Sequence, residues 1–293
     1  MWRAKLIQWV YVLNTHVILP DTIFSRILKK AIRRLVFMGV QGNEKMLIKV
    51  HEMPFYIRPT PSSIQEYILQ PFEPYTTELF LRALKPGAVV LDIGAQFGYY
   101  SLLAAKIVGP TGRVFAFEPV PSNFEILKKN IEINNFTSII RPIRKAAGDK
   151  RGIVSIYLYK HSDSHGMFRH PKATVKETLS IECITIDEFL EENAINAVNI
   201  IKMDIEGYEP YALEGMKQII FKSSNLILFT ELVPGFLRLA GVKPEDYLKQ
   251  LEKLGFDVQL IDEHSHCLKP VTEDFLTKGD AFRHANLYCT KIK

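Results

Sequence analysis

The segment Asp92–Gly98 (DIGAQFG) places a carboxylate and two glycines at the end of an apolar run. Gly94 permits a tight turn that lets a ligand approach the backbone, and Gly98 permits close packing where a helix begins. The spacing D-x-G-x-x-x-G differs from the G-x-G-x-x-G of dinucleotide-binding loops, which disfavours a nicotinamide-dependent oxidoreductase. Because a carboxylate repels a diphosphate and attracts a cation, the turn favours a ligand with a cationic amino-acid group.

A second carboxylate, Glu118, ends the apolar segment RVFAFE and lies 24 residues beyond Gly94. An acidic residue about 20 residues after a glycine turn, at the end of the next strand, accepts hydrogen bonds from ribose hydroxyls. Pro119 and Pro121 then end the strand and prepare a helix. The alternative is a solvated carboxylate at a strand end.

Three more carboxylates belong to two later apolar segments. Asp204 closes NIIKMD, Glu206 follows it by two residues, and Glu231 closes LILFTE. If both segments are parallel strands, these groups reach the same sheet edge as the glycine turn. There they can deprotonate an acceptor hydroxyl, orient it or bind a divalent cation. Alternatively, Asp204 and Glu206 stabilise the N-terminus of a helix over 210–220 through its dipole.

Histidines offer another base. His161, His165 and His170 lie in the polar stretch 161–178, where a histidine can act as general base near neutral pH or be a surface residue. Such an insert between two strands is a common place for acceptor specificity. No Cys/His cluster with zinc-ligand spacing occurs in the sequence, so no metal site is predicted.

Strand patterns alternating with helix patterns from residue 86 onward predict an α/β domain. We expect a mostly parallel sheet of about seven strands with helices on both faces. Its predicted strands cover 88–94, 113–118, 139–147, 198–207, 226–232, 256–262 and 284–291. Its predicted helices cover 75–84, 97–108, 122–134, 187–192, 210–220 and 244–254. Two short strands are expected within 46–58, and an inserted strand pair at 152–160 and 179–185.

The basic charge is concentrated at the N-terminus. Residues 1–45 contain eight basic and two acidic side chains, whereas 46–293 contain 29 and 30. We therefore divide the chain into a basic helical extension, 1–45, and a main domain, 46–293. The helix predicted over 22–38 is amphipathic and can either lie on an anionic membrane surface or pack on its own domain. Residues 6–19 predict neither a membrane span nor a signal peptide.

Composition excludes several classes of protein. With 47% hydrophobic and 24% charged residues, the chain is neither wholly disordered, nor fibrous, nor a polytopic membrane protein. The near-neutral main domain makes nucleic acid an unlikely partner. Three widely spaced cysteines favour a reducing compartment and hence the cytoplasm, with peripheral membrane contact through 22–38 left open. No sequence feature indicates the oligomeric state.

The motifs together carry a family resemblance. Residues 89–135 are similar to the cofactor half of class I S-adenosylmethionine (SAM) dependent methyltransferases, which have a Rossmann-like fold. More narrowly, the chain resembles the FkbM family over roughly residues 47–262. The matching motifs are Ile57-Arg58-Pro59, Ala146–Asp149 (AAGD) and Lys202–Glu209 (KMDIEGYE). Gln96 departs from the family pattern, which usually has Asn there.

This resemblance implies roles for particular residues. Those of the glycine turn would hold the methionine end of SAM: Asp92, Gly94, Ala95, Gln96 and Gly98. Glu118 would bind the ribose, and Asp149 would approach the adenine amino group. Because MDIEG stands where amino-group methyltransferases carry an NPPY-like segment, an oxygen acceptor is implied. Asp204, Glu206 and Glu231 are then the candidate catalytic residues.

The resemblance also implies a substrate class: a hydroxyl on a sugar, glycan, glycolipid or related small molecule. SAM is the expected cofactor, and a divalent cation is compatible with the three carboxylates but is not predicted. Two alternatives stay open. One is an RNA methyltransferase, and the other is a membrane-associated protein that retains the cofactor fold without catalysis.

Overall fold

The computed structural model describes residues 45–69, 71–160, 165–171, 173–278 and 280–292. The helix predicted over 22–38 lies outside the described residues, as does His161. The described chain forms two compact units, one reaching to Pro74 and one starting at Tyr75.

Thirteen strands are present in the described residues. In chain order they are β1 Met46–Val50, β2 Met53–Ile57, β3 Val89–Ile93, β4 Arg113–Phe117, β5 Ile140–Ile143, β6 Ala146–Ala147, β7 Gly152–Tyr159, β8 Val175–Ile184, β9 Ile200–Met203, β10 Ile227–Leu232, β11 Phe256–Asp262, β12 Cys267–Lys269 and β13 Ala285–Lys291. The α-helices are α1 Pro61–Ile64, α2 Pro74–Ala83, α3 Tyr99–Val108, α4 Pro121–Ile133, α5 Ile186–Glu192, α6 Glu209–Glu214, α7 Lys217–Lys222, α8 Pro234–Leu239, α9 Pro244–Lys253 and α10 Glu273–Thr277.

The first unit contains the predicted pair of short strands. β1 and β2 pair antiparallel, and Val50 lies opposite Met53. His51 and Glu52 between them have φ of 47° and 66°, the left-handed backbone that a two-residue hairpin loop requires. Helix α1 follows, with the Thr60 side chain accepting the N–H of Ser63 as its N-cap.

The second unit confirms the predicted α/β fold. Its main sheet has the order β12-β11-β13-β10-β9-β3-β4-β5. The pairings from β5 through β4, β3 and β9 to β10 are parallel, and those of β13 with β10 and β11 are antiparallel. This sheet has eight strands rather than about seven, because the short β12 pairs antiparallel with β11 as a hairpin.

The predicted strand over 139–147 is wrong as a single element. The chain forms β5 at the edge of the main sheet and then β6, which pairs with β8 instead. β6, β7 and β8 make a separate three-stranded sheet. The predicted inserted pair is confirmed as the antiparallel strands β7 and β8. An edge position suits β5 because it contains Pro142, which has no N–H to donate.

The helix predicted over 210–220 is also wrong as a single element. It is two short helices, α6 and α7, separated at Gly215 and Met216. A Cβ on Gly215 would lie 1.9 Å from the carbonyl oxygen of Gly148, so the backbone there packs tightly against the loop after β6. The Gly215 carbonyl accepts the N–H of Asp187 instead of continuing the helix. The short elements α1, α8, α10 and β12 were not predicted from the sequence.

Candidate active site

The glycine turn lies between the ends of β4 and β9, the two strands that flank β3 in the sheet. The N–H groups of Gly94 and Ala95 both donate to the Phe117 carbonyl at 2.9 Å, at the end of β4. On the other side, a Cβ on Gly94 would lie 1.9 Å from the carbonyl oxygen of Asp204, just after β9. Gly94 and Gly98 have φ of 88° and 93°, which explains why both positions are glycine.

Glu118 holds the same turn in place. Its Oε2 accepts the N–H of Gln96 at 2.9 Å, and its Oε1 accepts the N–H of Val120 at 2.8 Å. The residue is buried, and Gln96 has a left-handed φ of 50°. A carboxylate has about four acceptor sites, so two backbone contacts are compatible with a role on ribose hydroxyls. The backbone N–H of Gln96 thus ties the turn to Glu118.

Asp92 lies beneath the turn. It is buried, and the Ser101 hydroxyl at the start of α3 donates to its Oδ2 at 2.5 Å. Burial raises the pKa of this carboxyl to about 6, and the Ser101 hydrogen bond and the charge of Lys202 oppose that rise. Asp92 thus links the last part of β3 to the first turn of α3.

Replacing Asp92 by Asn is expected to stabilise the fold at neutral pH. Because its pKa is raised from 3.8 to about 6, the folded state binds the proton more tightly than the unfolded state. Ionisation of this carboxyl group therefore costs folding free energy. The cost is small near pH 4, grows as the pH rises from 3.8 to about 6, and is complete above that range. We expect Asp92→Asn to raise the free energy of unfolding by up to about 3 kcal/mol at pH 7. Urea unfolding at both pH values measures this difference, and an equal effect at pH 4 would contradict the cause.

A buried lysine, Lys202, contacts several groups at this edge of the sheet. Lys202 in β9 is paired in register with Asp92 in β3, and its side chain is almost completely buried. Its Nζ donates to Asp204 Oδ2 and to Asn286 Oδ1, both at 3.3 Å. The ammonium also lies 5.1 Å from the centre of the Tyr100 ring. Asp204 is therefore held by an ion pair with Lys202, and 31% of its side chain is exposed to solvent.

Glu231 is the carboxylate with the most unusual surroundings. It is buried in β10 opposite Asn286 of β13. Among the described residues, its Oε2 has no hydrogen-bond partner. Burial raises its pKa well above the ordinary value, and the charges of Asp204, Glu206 and Glu209 add to the rise. When ionised, such a carboxylate binds a proton tightly, so it can accept one from a hydroxyl that donates to Oε2.

Glu206 and Glu209 lie in the loop and helix after β9. Glu206 has a left-handed φ of 56° and is followed by Gly207 at 94°. Glu209 is buried at the start of α6, where its Oε1 accepts the Ile205 N–H at 2.9 Å and burial raises its pKa to about 7. Glu209 thus accepts a backbone N–H of the loop before α6, and it lies three residues after Glu206 and five after Asp204, the carboxylates considered from the sequence.

The insert between β7 and β8 lies against this loop. Tyr159 Oη donates to the Phe168 carbonyl and accepts the His170 N–H, each at 2.8 Å. The Phe168 ring lies 5.8 Å from that of Tyr208, and a Cβ on Gly166 would be 3.4 Å from Glu206 Cβ.

The two described histidines of the insert have protein partners. His170 packs on the Phe282 and Phe236 rings, with centroids 4.4 and 5.6 Å away. His165 Nδ1 lies 3.5 Å from the Tyr159 backbone nitrogen.

Asp149 is exposed and follows β6. Its charge acts on two neighbours whose pKa values are raised mainly by burial, Cys183 to about 11 and Tyr208 to about 12. A Cβ on Gly148 would lie 3.0 Å from the Tyr208 ring, so the Asp149 loop and the loop after β9 are adjacent.

Sequence reasoning missed His284 at this edge. Its Nε2 lies 3.9 Å from Glu231 Oε1, and 49% of its side chain is exposed. Asn286 was missed as well, and Lys202 was considered only as an ion-pair partner. The alternation of His284 and Asn286 in the last strand pattern was the available signal, since residues two apart share one face.

Within the ranges that the structure describes, no group of three or more His, Cys, Asp or Glu side chains is arranged to hold a metal ion. The helices described there include none long and apolar enough to cross a membrane.

Comparison with known proteins gave the following matches. The family model of the methyltransferase FkbM domain matches residues 92–258. A model of protein-L-isoaspartate(D-aspartate) O-methyltransferase matches residues 28–151. The chain is 28% identical to the hexuronic acid methyltransferase AglP of Haloferax volcanii, over 62% of this chain and 69% of that protein.

Two other matches are more distant. The chain is 25% identical to the 31-O-demethyl-FK506 methyltransferase FkbM of Streptomyces tacrolimicus, over 50% of this chain and 66% of that protein. The crystal structure of a SAM-dependent O-methyltransferase from Thermotoga maritima aligns with a TM-score of 0.43 and 13% identity, over 89% of this chain and 82% of that one. The chain thus spans about two thirds of the length of both curated relatives.

Proposed function

Because this chain belongs to the FkbM-domain family of SAM-dependent methyltransferases, we propose that it methylates a hydroxyl oxygen of a sugar or related small molecule. Family membership removes the oxidoreductase alternative. The observation that carries the choice of acceptor is the buried carboxylate Glu231, whose Oε2 lacks a partner among the described residues. A hydroxyl that donates to this oxygen would satisfy it and would lose its proton there.

The donor set around the glycine turn fits SAM. The carboxylate of Asp92 favours a cationic group nearby, and the turn brings backbone close to any ligand at the sheet edge. We assign the methionine end to the turn residues Asp92, Gly94, Ala95, Gln96 and Gly98. We assign the ribose to Glu118, which follows β4 directly. Asp149, exposed and next to Tyr208, is assigned to the adenine amino group.

The charge of the acceptor side favours a hydroxyl over a carboxylate as the methyl acceptor. Three carboxyl groups, Asp204, Glu206 and Glu231, surround Lys202, which is the one buried Lys or Arg in the described part of the chain. Negative charges at this density repel an anionic acceptor. A carboxylate acceptor also needs no base, whereas a hydroxyl does. The same charge argument disfavours RNA, whose phosphates would face these carboxylates.

The chain's own residues would act mainly by positioning. SAM, when bound, supplies an electrophilic methyl group on a positively charged sulfur. Lys202 fixes Asp204, which can orient the acceptor hydroxyl, and Glu231 can accept its proton as the new C–O bond forms. Holding two reactants in a near-attack geometry can supply about 7–11 kcal/mol of the barrier. Placing this reaction in the cytoplasm is consistent with three free cysteines.

An acceptor screen with SAM labelled in its methyl group tests this function. The panel would contain methyl glycosides, the matching uronic acids and a tRNA pool, and the product would be treated with dilute alkali. We expect label on neutral glycosides in an alkali-stable methyl ether. Alkali-labile label on the uronic acids would indicate a methyl ester and overturn the choice of hydroxyl. Label confined to tRNA would favour the RNA alternative.

A further inference from the structure

Glu231 and His284 form a pair that connects the buried groups around Lys202 with the protein surface. Glu231 Oε1 lies 3.9 Å from His284 Nε2, an ion-pair distance when the imidazole is protonated. The Glu231 side chain is 8% exposed, whereas that of His284 is 49% exposed. One member of the pair therefore faces the site and the other faces solvent.

Methylation of a hydroxyl releases a proton in every turnover. The acceptor oxygen forms a bond to the methyl carbon, the sulfur–carbon bond breaks with its electron pair on sulfur, and the O–H bond breaks. The products are the methyl ether, the demethylated cofactor and one proton. A buried base that accepts this proton must lose it again before the next turnover.

We propose that Glu231 takes the proton from the acceptor hydroxyl and that His284 carries it to solvent. This inference rests on the proposed hydroxyl methylation. The proton arrives at Oε2, which has no partner among the described residues. A half-turn of the carboxyl group then brings it to the side of His284 Nε2, and the exposed imidazolium releases it to water. His284 is thus a relay residue, and Glu231 is the group that touches the acceptor.

The other polar groups around Glu231 are less suited to this exit. Those that face it are Lys202, Asp204, Glu206, Glu209, Tyr247, His284 and Asn286. Lys202 and Tyr247 are buried, and the Tyr247 hydroxyl is hydrogen-bonded to the Thr230 hydroxyl, with 2.7 Å between the two oxygens. Asp204 is held by Lys202. Among these groups, His284 has the most exposed side chain, and imidazole is the side-chain type best suited to exchanging protons with water.

An NMR titration tests the pairing without any knowledge of the acceptor. The probe is the His284 ring resonance, assigned by its loss in His284→Ala. Because interacting groups titrate as a pair, we expect this resonance to follow two steps with pH in the wild type and one step in Glu231→Gln. Identical single-step curves in both proteins would overturn the proposal.

Turnover tests the relay once an acceptor from the glycoside panel is known. We expect His284→Ala to lower kcat at least about tenfold, to leave the KM for SAM unchanged and to regain rate with added imidazole. The matched control is the exposed His264, whose replacement by Ala should leave the rate unchanged. An unchanged kcat, or a loss that imidazole does not restore, would overturn the relay. A screen that finds no methylated hydroxyl would instead refute the proposed function. The NMR titration would still report whether Glu231 and His284 interact, so the two failures are distinguishable.

Discussion

Glu231→Gln is expected to lower kcat by about 10²–10⁴-fold while leaving the dissociation constant of SAM within about twofold of the wild type. The amide keeps the size and shape of the side chain but cannot accept a proton. SAM affinity should persist because Glu231 lies on β10, whereas the turn assigned to SAM follows β3. Steady-state kinetics and calorimetric titration of SAM measure the two quantities separately.

Stability gives this experiment an internal control. Since burial raises the pKa of Glu231, its ionised form costs folding free energy at neutral pH, and removing the charge should not lower the melting temperature. Glu252→Gln, on the exposed side of α9, is the matched control for the amide substitution. Parallel losses of kcat, SAM affinity and melting temperature would contradict a role confined to the acceptor.

Gly94→Ala is expected to abolish measurable SAM binding and to lower the free energy of unfolding by about 3 kcal/mol. The added Cβ would lie 1.9 Å from the Asp204 carbonyl oxygen and 2.9 Å from its carbon, so backbone must move. The left-handed φ of 88° adds about 1–2 kcal/mol for a non-glycine residue. Overpacking of this kind costs about 1–3 kcal/mol by itself.

Gly109→Ala separates the two causes. Gly109 also has a left-handed φ, 65°, but a Cβ there would meet nothing within 4 Å. Because its ψ is −167°, a combination that is almost exclusive to glycine, we expect this variant to lose about 1–3 kcal/mol for conformational reasons alone and to bind SAM normally. Urea unfolding and SAM titration of both variants make the comparison. If Gly109→Ala lost as much SAM affinity as Gly94→Ala, the contact of Gly94 with Asp204 would not be the cause of the loss.

Much of the fold could be predicted from the sequence because the buried parallel strands are short apolar runs with clear ends. β3, β4, β9 and β10 were each expected within a few residues of their observed bounds. Because the ends of these strands could be predicted, so could the residues near them, and the placing of Asp92, Glu118 and Asp204 at one edge of the sheet was predictable. Parallel strands bring their carboxyl ends together without further information.

Other features depend on pairings that local sequence does not encode. The exit of the chain from the main sheet after Ile143 depends on the pairing of β6 with β8, whose paired residues are 37 positions apart. The break at Gly215 depends on the close approach of Gly148. His284 was missed because its partner Glu231 is distant in the chain, and only the register of β10 with β13 brings them together.

The most direct test of the central claim is a calorimetric titration of SAM and its demethylated product, with NAD as control ligand. The wild type would be compared with Glu118→Ala and with Glu132→Ala, which changes an exposed carboxylate on α4. We predict micromolar binding of the SAM pair and none of NAD. Affinity should fall at least about tenfold in Glu118→Ala, as expected when a charged hydrogen-bond acceptor is lost, and stay unchanged in Glu132→Ala. A folded wild-type protein that binds neither SAM nor its product would contradict the account.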